Sequence, residues 1–390
     1  MTATTLRSGR RTAAATGLVL SLAGFVQGCA APSSHEGAFV VRETTPAFLL
    51  SVDARDPSMA ADGHGNVALT WVSGDSLAGD AWLSVSRDSG VTFSLPARVN
   101  AIAGRVVSSL EGRPAVALGA EGAIAIAWSE WRADSSGAID LRLRAGDDLG
   151  RTLRDPATVN DDGGAPPPGL RWRELRDWPL KHRPNATHGM PAIAFTNDGV
   201  LLAAWLDDRR TPVADSGRVT TLWTSLSHDG GLNFRPNVAL SDSAFPRSRP
   251  ALAIAAGGTL ALTYHGTANG RQGHHTLFST DGLAFGGDTL LMRENRLLAA
   301  TGRALTLPDG SHWVGTVAPV AMDNTRYTFE VSALVPAGAA LAPARLGADV
   351  SAIDLAAAGR ACAIACWLEH EPGHSRLRLA TLTRRSRRGA

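Results

Sequence analysis

Four stretches of this chain repeat one frame: "DPSMAADGHGNVALTW" ending at Trp71, "RPAVALGAEGAIAIAW" at Trp128, "MPAIAFTNDGVLLAAW" at Trp205 and "RPALAIAAGGTLALTY" at Tyr264. In each, a proline (Pro57, Pro114, Pro191, Pro250) stands 14 residues before the closing aromatic. Between them lie a short apolar run, a turn rich in Gly, Asp or Asn, and a second apolar run, which is the signature of a β-hairpin. Weaker copies occupy 303–318 and 351–367, so six hairpins are expected. A repeated hairpin cannot bury its apolar side chains alone, so the copies must stack on one another.

After most hairpins a second strand pair follows, joined by a short turn motif. "SRDSGVTF" (86–93) and "SHDGGLNF" (227–234) show it in full. "AGDDLGRTL" has Gly146 at the serine position, and "STDGLAF" is one residue short after Asp281. Four strands per unit, in units of about 55 residues, predict an all-β chain folded as a six-bladed β-propeller. The last unit has a third strand, "RLRLATL", and no fourth. The segment "AFVVRE" (38–43) is predicted to supply that strand and close the ring, leaving no blade edge unpaired.

The 38 basic and 36 acidic residues leave a formal charge of +2, with basic residues clustered only in "TRRSRRGA", so nucleic acid is excluded as a partner. The 41 glycines and 21 prolines suit many short strands and tight turns. Residues 1–28 read as an export signal: Arg7, Arg10 and Arg11, the apolar run "AAATGLVLSLAGFV", then "QGCA". "VQGC" is similar to the lipobox of bacterial lipoproteins, which makes Cys29 the expected lipidation site; ordinary cleavage near Ala30 or Ala31 is the alternative. Residues 29–37 are then a linker, 38–383 the propeller and 384–390 a basic tail. The chain is expected in a bacterial cell envelope, lipid-anchored, or secreted, touching membrane only through the anchor. Cys362 and Cys366 would lie about 13 Å apart along one strand, beyond the reach of about 7 Å between Cα atoms in a disulfide, and are read as buried thiols. No cofactor or metal is implied, since no His, Asp or Glu cluster has a recognisable ligand spacing.

The turn motifs resemble the Asp-box, or BNR, repeats of the sialidase (neuraminidase) superfamily, from about residue 45 to 383. Chain parity puts the box aspartates Asp88, Asp148, Asp229 and Asp281 together on one face as scaffolding. Their carboxylates would accept backbone hydrogen bonds within the turn. The opposite face holds the residue before each proline: Asp56, Arg113, Met190 and Arg249, with Arg303 equivalent in the fifth unit. Three guanidiniums there could clamp the carboxylate of an acidic sugar, or could be solvated strand ends.

The resemblance also implies roles for the residues after the hairpin aromatics. Arg113-Pro114, then Glu130-x-Arg132, then Asp134 is similar to the family's order. It implies Arg113 and Arg132 as substrate-binding groups and Asp134 as the proton donor. The third unit competes with Asp207-x-Arg209 and Asp215, offering Met190 and His188 in place of the leading arginine. The family's tyrosine nucleophile, activated by a glutamate, has Tyr327 as its candidate here with Glu130 among the catalytic set; Tyr264 takes a hairpin aromatic position and is read as packing. An insertion at 154–187, with Trp172 and Trp178 in "RWRELRDW", is either a lid or a proline-rich surface excursion. Two functions follow: an exo-α-sialidase-type glycoside hydrolase on terminal acidic sugars, or a non-catalytic propeller binding a glycan or an envelope protein.

Overall fold

The computed structural model describes residues 38–51, 53–109, 112–132, 139–162, 188–210, 219–246, 248–254, 258–293, 303–307, 309–320, 323–334, 340–371 and 374–385. The leader, Cys29, the linker to residue 37, Asp134, Asp215, the insertion from 163 to 187 and the end of the basic tail lie outside the described residues. His35–Ala390 forms one compact unit. Among the described residues the only helical elements are short 3-10 turns, and the rest of the regular structure is antiparallel strand.

Each repeat becomes a run of consecutively paired strands. In the first unit Ala54–Ala61 pairs with Val67–Asp75, which pairs with Ala78–Ser86. In the third, Gly189–Phe195, Leu201–Asp207, Thr220–Ser227 and Val238–Ala244 follow in order. The last unit, Val350–Gly359, Cys362–Glu371 and His374–Arg384, takes its fourth strand from Phe39–Glu43, with Phe39 opposite Arg384 and Glu43 opposite Ala380. The first strands of successive units adjoin one another: Ala54–Ala61 touches both Val350–Gly359 and Ala115–Leu118, and Gly189–Phe195 touches Ala115–Leu118 and Ala251–Ile254.

Alternation along the second strand decides which neighbour each side chain meets, because successive residues point to opposite faces of a sheet. Leu201, Ala203 and Trp205 pack with Leu141 and Leu143 of the preceding unit. Ala204 and Leu206 pack with Leu262 and Tyr264 of the following one. The second unit repeats the pattern: Ile124, Ile126 and Trp128 face back onto Val72 and Leu83, while Ala125 and Ala127 face forward. Both faces of these sheets are covered, which is why the strands read as nearly unbroken apolar runs. Cys366 is buried and Cys362 half-buried, both as free thiols in one cluster with Trp71.

The turn motifs tie neighbouring units together. Asp229 Oδ1 accepts hydrogen bonds from the amides of Leu232 (3.1 Å) and Asn233 (2.9 Å) and from Ser227 Oγ (2.7 Å), while Ser227 Oγ accepts from the Gly231 amide (2.7 Å). Asp88 is held in the same way by Ser86, Val91 and Thr92, and Asp281 by Ser279, Leu283 and Ala284. Gly231 has φ +90°, and a Cβ there would stand 2.8 Å from Leu143 Cδ2, so this turn needs glycine both for its backbone and for its seat on the previous unit. Asp148 departs from the pattern. With Gly146 in place of the serine its carboxylate makes ion pairs with Arg87 (3.0 Å) and Arg151 (3.1 Å), so it links two units from outside the turn.

Hydrogen bonds from the Asn233 amide and side chain hold the Asp229 carboxyl down at about 2. A depressed carboxyl contributes stability above its unfolded value and loses it as pH falls through the folded value. Asp229→Ala is therefore expected to cost about 1–2 kcal/mol near neutral pH. Its stability difference from the wild type should shrink between pH 4 and pH 2 in urea titrations at each pH.

Candidate functional site

The arginines that precede the prolines are set by a repeated backbone irregularity. Asp56, Met190 and Ala352 adopt positive φ (49°, 59° and 49°), each one residue before Pro57, Pro191 and Ile353. A β-bulge at each place removes those positions from the ladder. Their carbonyls then accept from arginines of neighbouring units. Arg113, 2% exposed, donates from Nη1 to Pro57 O (2.9 Å) and Ile353 O (3.1 Å). Arg249 Nε donates to Pro191 O (2.7 Å). Arg303 Nε is paired with Asp354 Oδ1 (3.0 Å), whose Oδ2 accepts the Met59 amide (2.9 Å). Arg113 and Arg303 thus meet the start of the last unit through adjacent residues, and all three arginines fasten first strands to each other.

The acids after the hairpin tryptophans follow from strand parity. A residue two after the tryptophan shares its face, and Trp128 Nε1 donates to Glu130 Oε2 (2.7 Å) as Trp205 Nε1 does to Asp207 Oδ2 (3.3 Å). Burial raises the Glu130 carboxyl above the usual carboxylate range, the Trp128 hydrogen bond offsetting part of that. Arg132 forms a two-bonded pair with Asp140 (2.6 and 3.2 Å). Asp140 and Asn160 also form a repeated brace, since Asn160 Oδ1 accepts the Leu141 amide as Asn100 Oδ1 accepts the Ala81 amide in the first unit.

The densest polar cluster lies where the second and third units join. His188, with no solvent exposure, places Nε2 3.0 Å from Asp162 Oδ1 and 3.0 Å from Asp207 Oδ2, and Nδ1 2.7 Å from Ile139 O. Arg209 lies 4.0 Å over the Trp223 ring and donates to Asp207 Oδ2 (2.7 Å), Asp161 Oδ1 (2.6 Å) and Asn237 Oδ1 (3.0 Å). Burial alone would lower the His188 pKa, but the charges and hydrogen bonds of Asp207 and Asp162 outweigh it and raise the imidazole well above its ordinary value. Asp162 is lowered despite its burial, through His188, Asn160 and Arg209. Asp208, 1% exposed, is pushed up to about 8 by burial, the Asp207 charge adding to it. Neither Asp208 oxygen makes a well-formed hydrogen bond.

Tyr327 stands elsewhere, on the strand Asp323–Leu334, where it is 40% exposed and its carbonyl accepts the Asp349 amide. Tyr264 is 3% exposed and stacks on His275. The structure therefore joins Asp207 to Arg209 directly and Arg113 to Arg303 through Ile353 and Asp354. Asp162 and Asp354 carry much of this architecture and have no motif to announce them; the doublet "DD" at 207–208 was the one visible signal.

No protein-family model matches the chain, and no curated protein matches it in sequence. Solved structures do. A protein of unknown function from Dyadobacter fermentans superposes with TM-score 0.55 at 14% identity, covering 89% of this chain and 98% of that one. Trypanosoma rangeli sialidase in complex with sialic acid gives 0.52 at 10%, covering 84% of this chain and 54% of the sialidase. Penicillium chrysogenum α-L-arabinanase complexed with arabinobiose gives 0.50 at 17%, covering 88% and 97%. At these identities the likeness is one of fold, the all-β propeller of sialidases and arabinanases.

Proposed function

We propose that the chain is an exported six-bladed propeller, closed by Phe39–Glu43 and anchored through Cys29, that binds sugars without cleaving sialosides by the Arg113, Asp134 and Tyr327 set. The observation that carries this reading is the buried Arg113 guanidinium, given over to Pro57 O and Ile353 O. A carboxylate clamp would have to reach a guanidinium that is 2% exposed and whose Nη1 already serves two carbonyls of neighbouring units. The sugar assignment is supported by the fold shared with proteins crystallised with sialic acid and with arabinobiose.

A second reading, an exo-α-sialidase on terminal acidic sugars, is supported by the exposure of the Tyr327 side chain and by the raised Glu130 carboxyl, groups suited to a nucleophile and an acid. Purified mature protein, Arg249→Ala and Tyr327→Phe should all release a fluorogenic aglycone from an α-sialoside no faster than buffer. Calorimetric titration with sialyllactose and arabinobiose should show saturable binding of at least one of them. Turnover by the wild type that Tyr327→Phe abolishes would establish the second reading instead. Failure to bind either sugar would remove the glycan from the proposal and leave an envelope protein as the partner.

A further inference from the structure

We propose that Asp162, His188 and Asp207 form a site for one divalent transition-metal ion, Zn²⁺ by preference, with the fourth position open to water. The three groups come from separate segments, and one ligand atom from each lies within 4.8 Å of the others. The Nε2–oxygen separations are 3.0 and 3.0 Å. Tetrahedral Zn²⁺ with ligands at about 2.0–2.1 Å has ligand–ligand edges of about 3.3 Å, so an opening of a few tenths of an ångström admits the ion.

The surroundings are those of a built metal site. His188 Nδ1 donates to Ile139 O (2.7 Å), which fixes the ring and directs Nε2 at the two carboxylates. Asn160 Nδ2 donates to Asp162 Oδ1 (3.1 Å), and Trp205 Nε1 and Arg209 donate to Asp207, so each carboxylate is already oriented. Arg209, which donates to Asp207 Oδ2, is in turn anchored by Asp161 and Asn237.

One imidazole with carboxylates is a ligand set for a borderline ion; Ca²⁺ prefers six to eight oxygens and would be poorly served. Binding replaces the proton on His188 Nε2, which leaves to solvent, so the balance is one ion in and one proton out.

The test uses tag-free mature protein stripped with chelator, desalted, and titrated with Zn²⁺ or, in parallel, Ca²⁺. One Zn²⁺ per chain by elemental analysis, with a melting temperature raised by about 3 °C or more, is expected; Ca²⁺ should give no shift. Asp162→Asn and Asp207→Asn should each weaken Zn²⁺ binding by at least about 10-fold. His188→Gln should abolish it. Should His188→Gln fail to fold, Asp162→Asn decides, because Asp162 is the one of the three that is not fully buried. Zn²⁺ well below one per chain, an equal response to Ca²⁺, or unchanged stoichiometry and affinity in Asp162→Asn would overturn the assignment.

Discussion

Deleting residues 38–43 is expected to lower the melting temperature by on the order of 10 °C, read by calorimetry at matched protein concentration. The strand Phe39–Glu43 pairs along its whole length with His374–Arg384. Phe39 is 5% exposed and meets Trp313 edge to face at 4.9 Å, within the cluster that holds Phe329, Trp367 and Leu382. Losing a buried phenylalanine costs about 3–5 kcal/mol by itself. The deletion also bares the edge of His374–Arg384, whose free amides and carbonyls would pair with any available strand, so scattering should rise with the unfolding signal. Phe39→Ala separates the two effects: it keeps the backbone ladder and should show the loss of stability without the scattering. An unchanged melting temperature in both variants would mean that the strand is idle.

Arg113→Ala is expected to destabilise the chain by about 3–5 kcal/mol, because it removes a buried side chain and leaves two carbonyls from two other units unpaired. Arg113→Lys should recover part of this, since an ammonium can still donate to one or both carbonyls but lacks the planar fork. Urea unfolding of the three proteins measures the effect. A substrate-clamping arginine would behave in the opposite way, with the alanine variant as stable as the wild type and ligand affinity lost.

Much of the architecture was legible because its determinants are local. The proline-to-aromatic frame, the alternation of alanine with large apolar residues and the Ser-x-Asp spacing each lie within a few residues of one another. The strand at 39–43 was readable for a different reason: the last unit contained one strand too few. The contacts of Arg113, Arg249 and Arg303 were not legible, because the first two donate to carbonyls beside the bulges at Asp56, Met190 and Ala352, the third pairs with Asp354, and no residue type at the bulges signals them. The tie between Asp207 and Trp205 was within reach, since strand parity puts an acid on the same face as the tryptophan two residues earlier. His188 drew attention only as a substitute for an arginine, since its partners Asp162 and Asp207 are 26 and 19 residues away. Asp148 kept its place in the box but lost the serine that makes the turn work.

In the first, second, third and last units the second strand gives the sheet a front and a back. Trp71, Trp128, Trp205 and Trp367 all lean on the unit before them, while alanines such as Ala68, Ala125 and Ala204 meet the unit after. Each contact among these units is therefore made between unlike faces, like stacked cups, and they cannot join back to back. A series built only from such contacts ends in one of two ways: its last member meets its first, or a slab of tryptophan and a slab of alanine stand open to water.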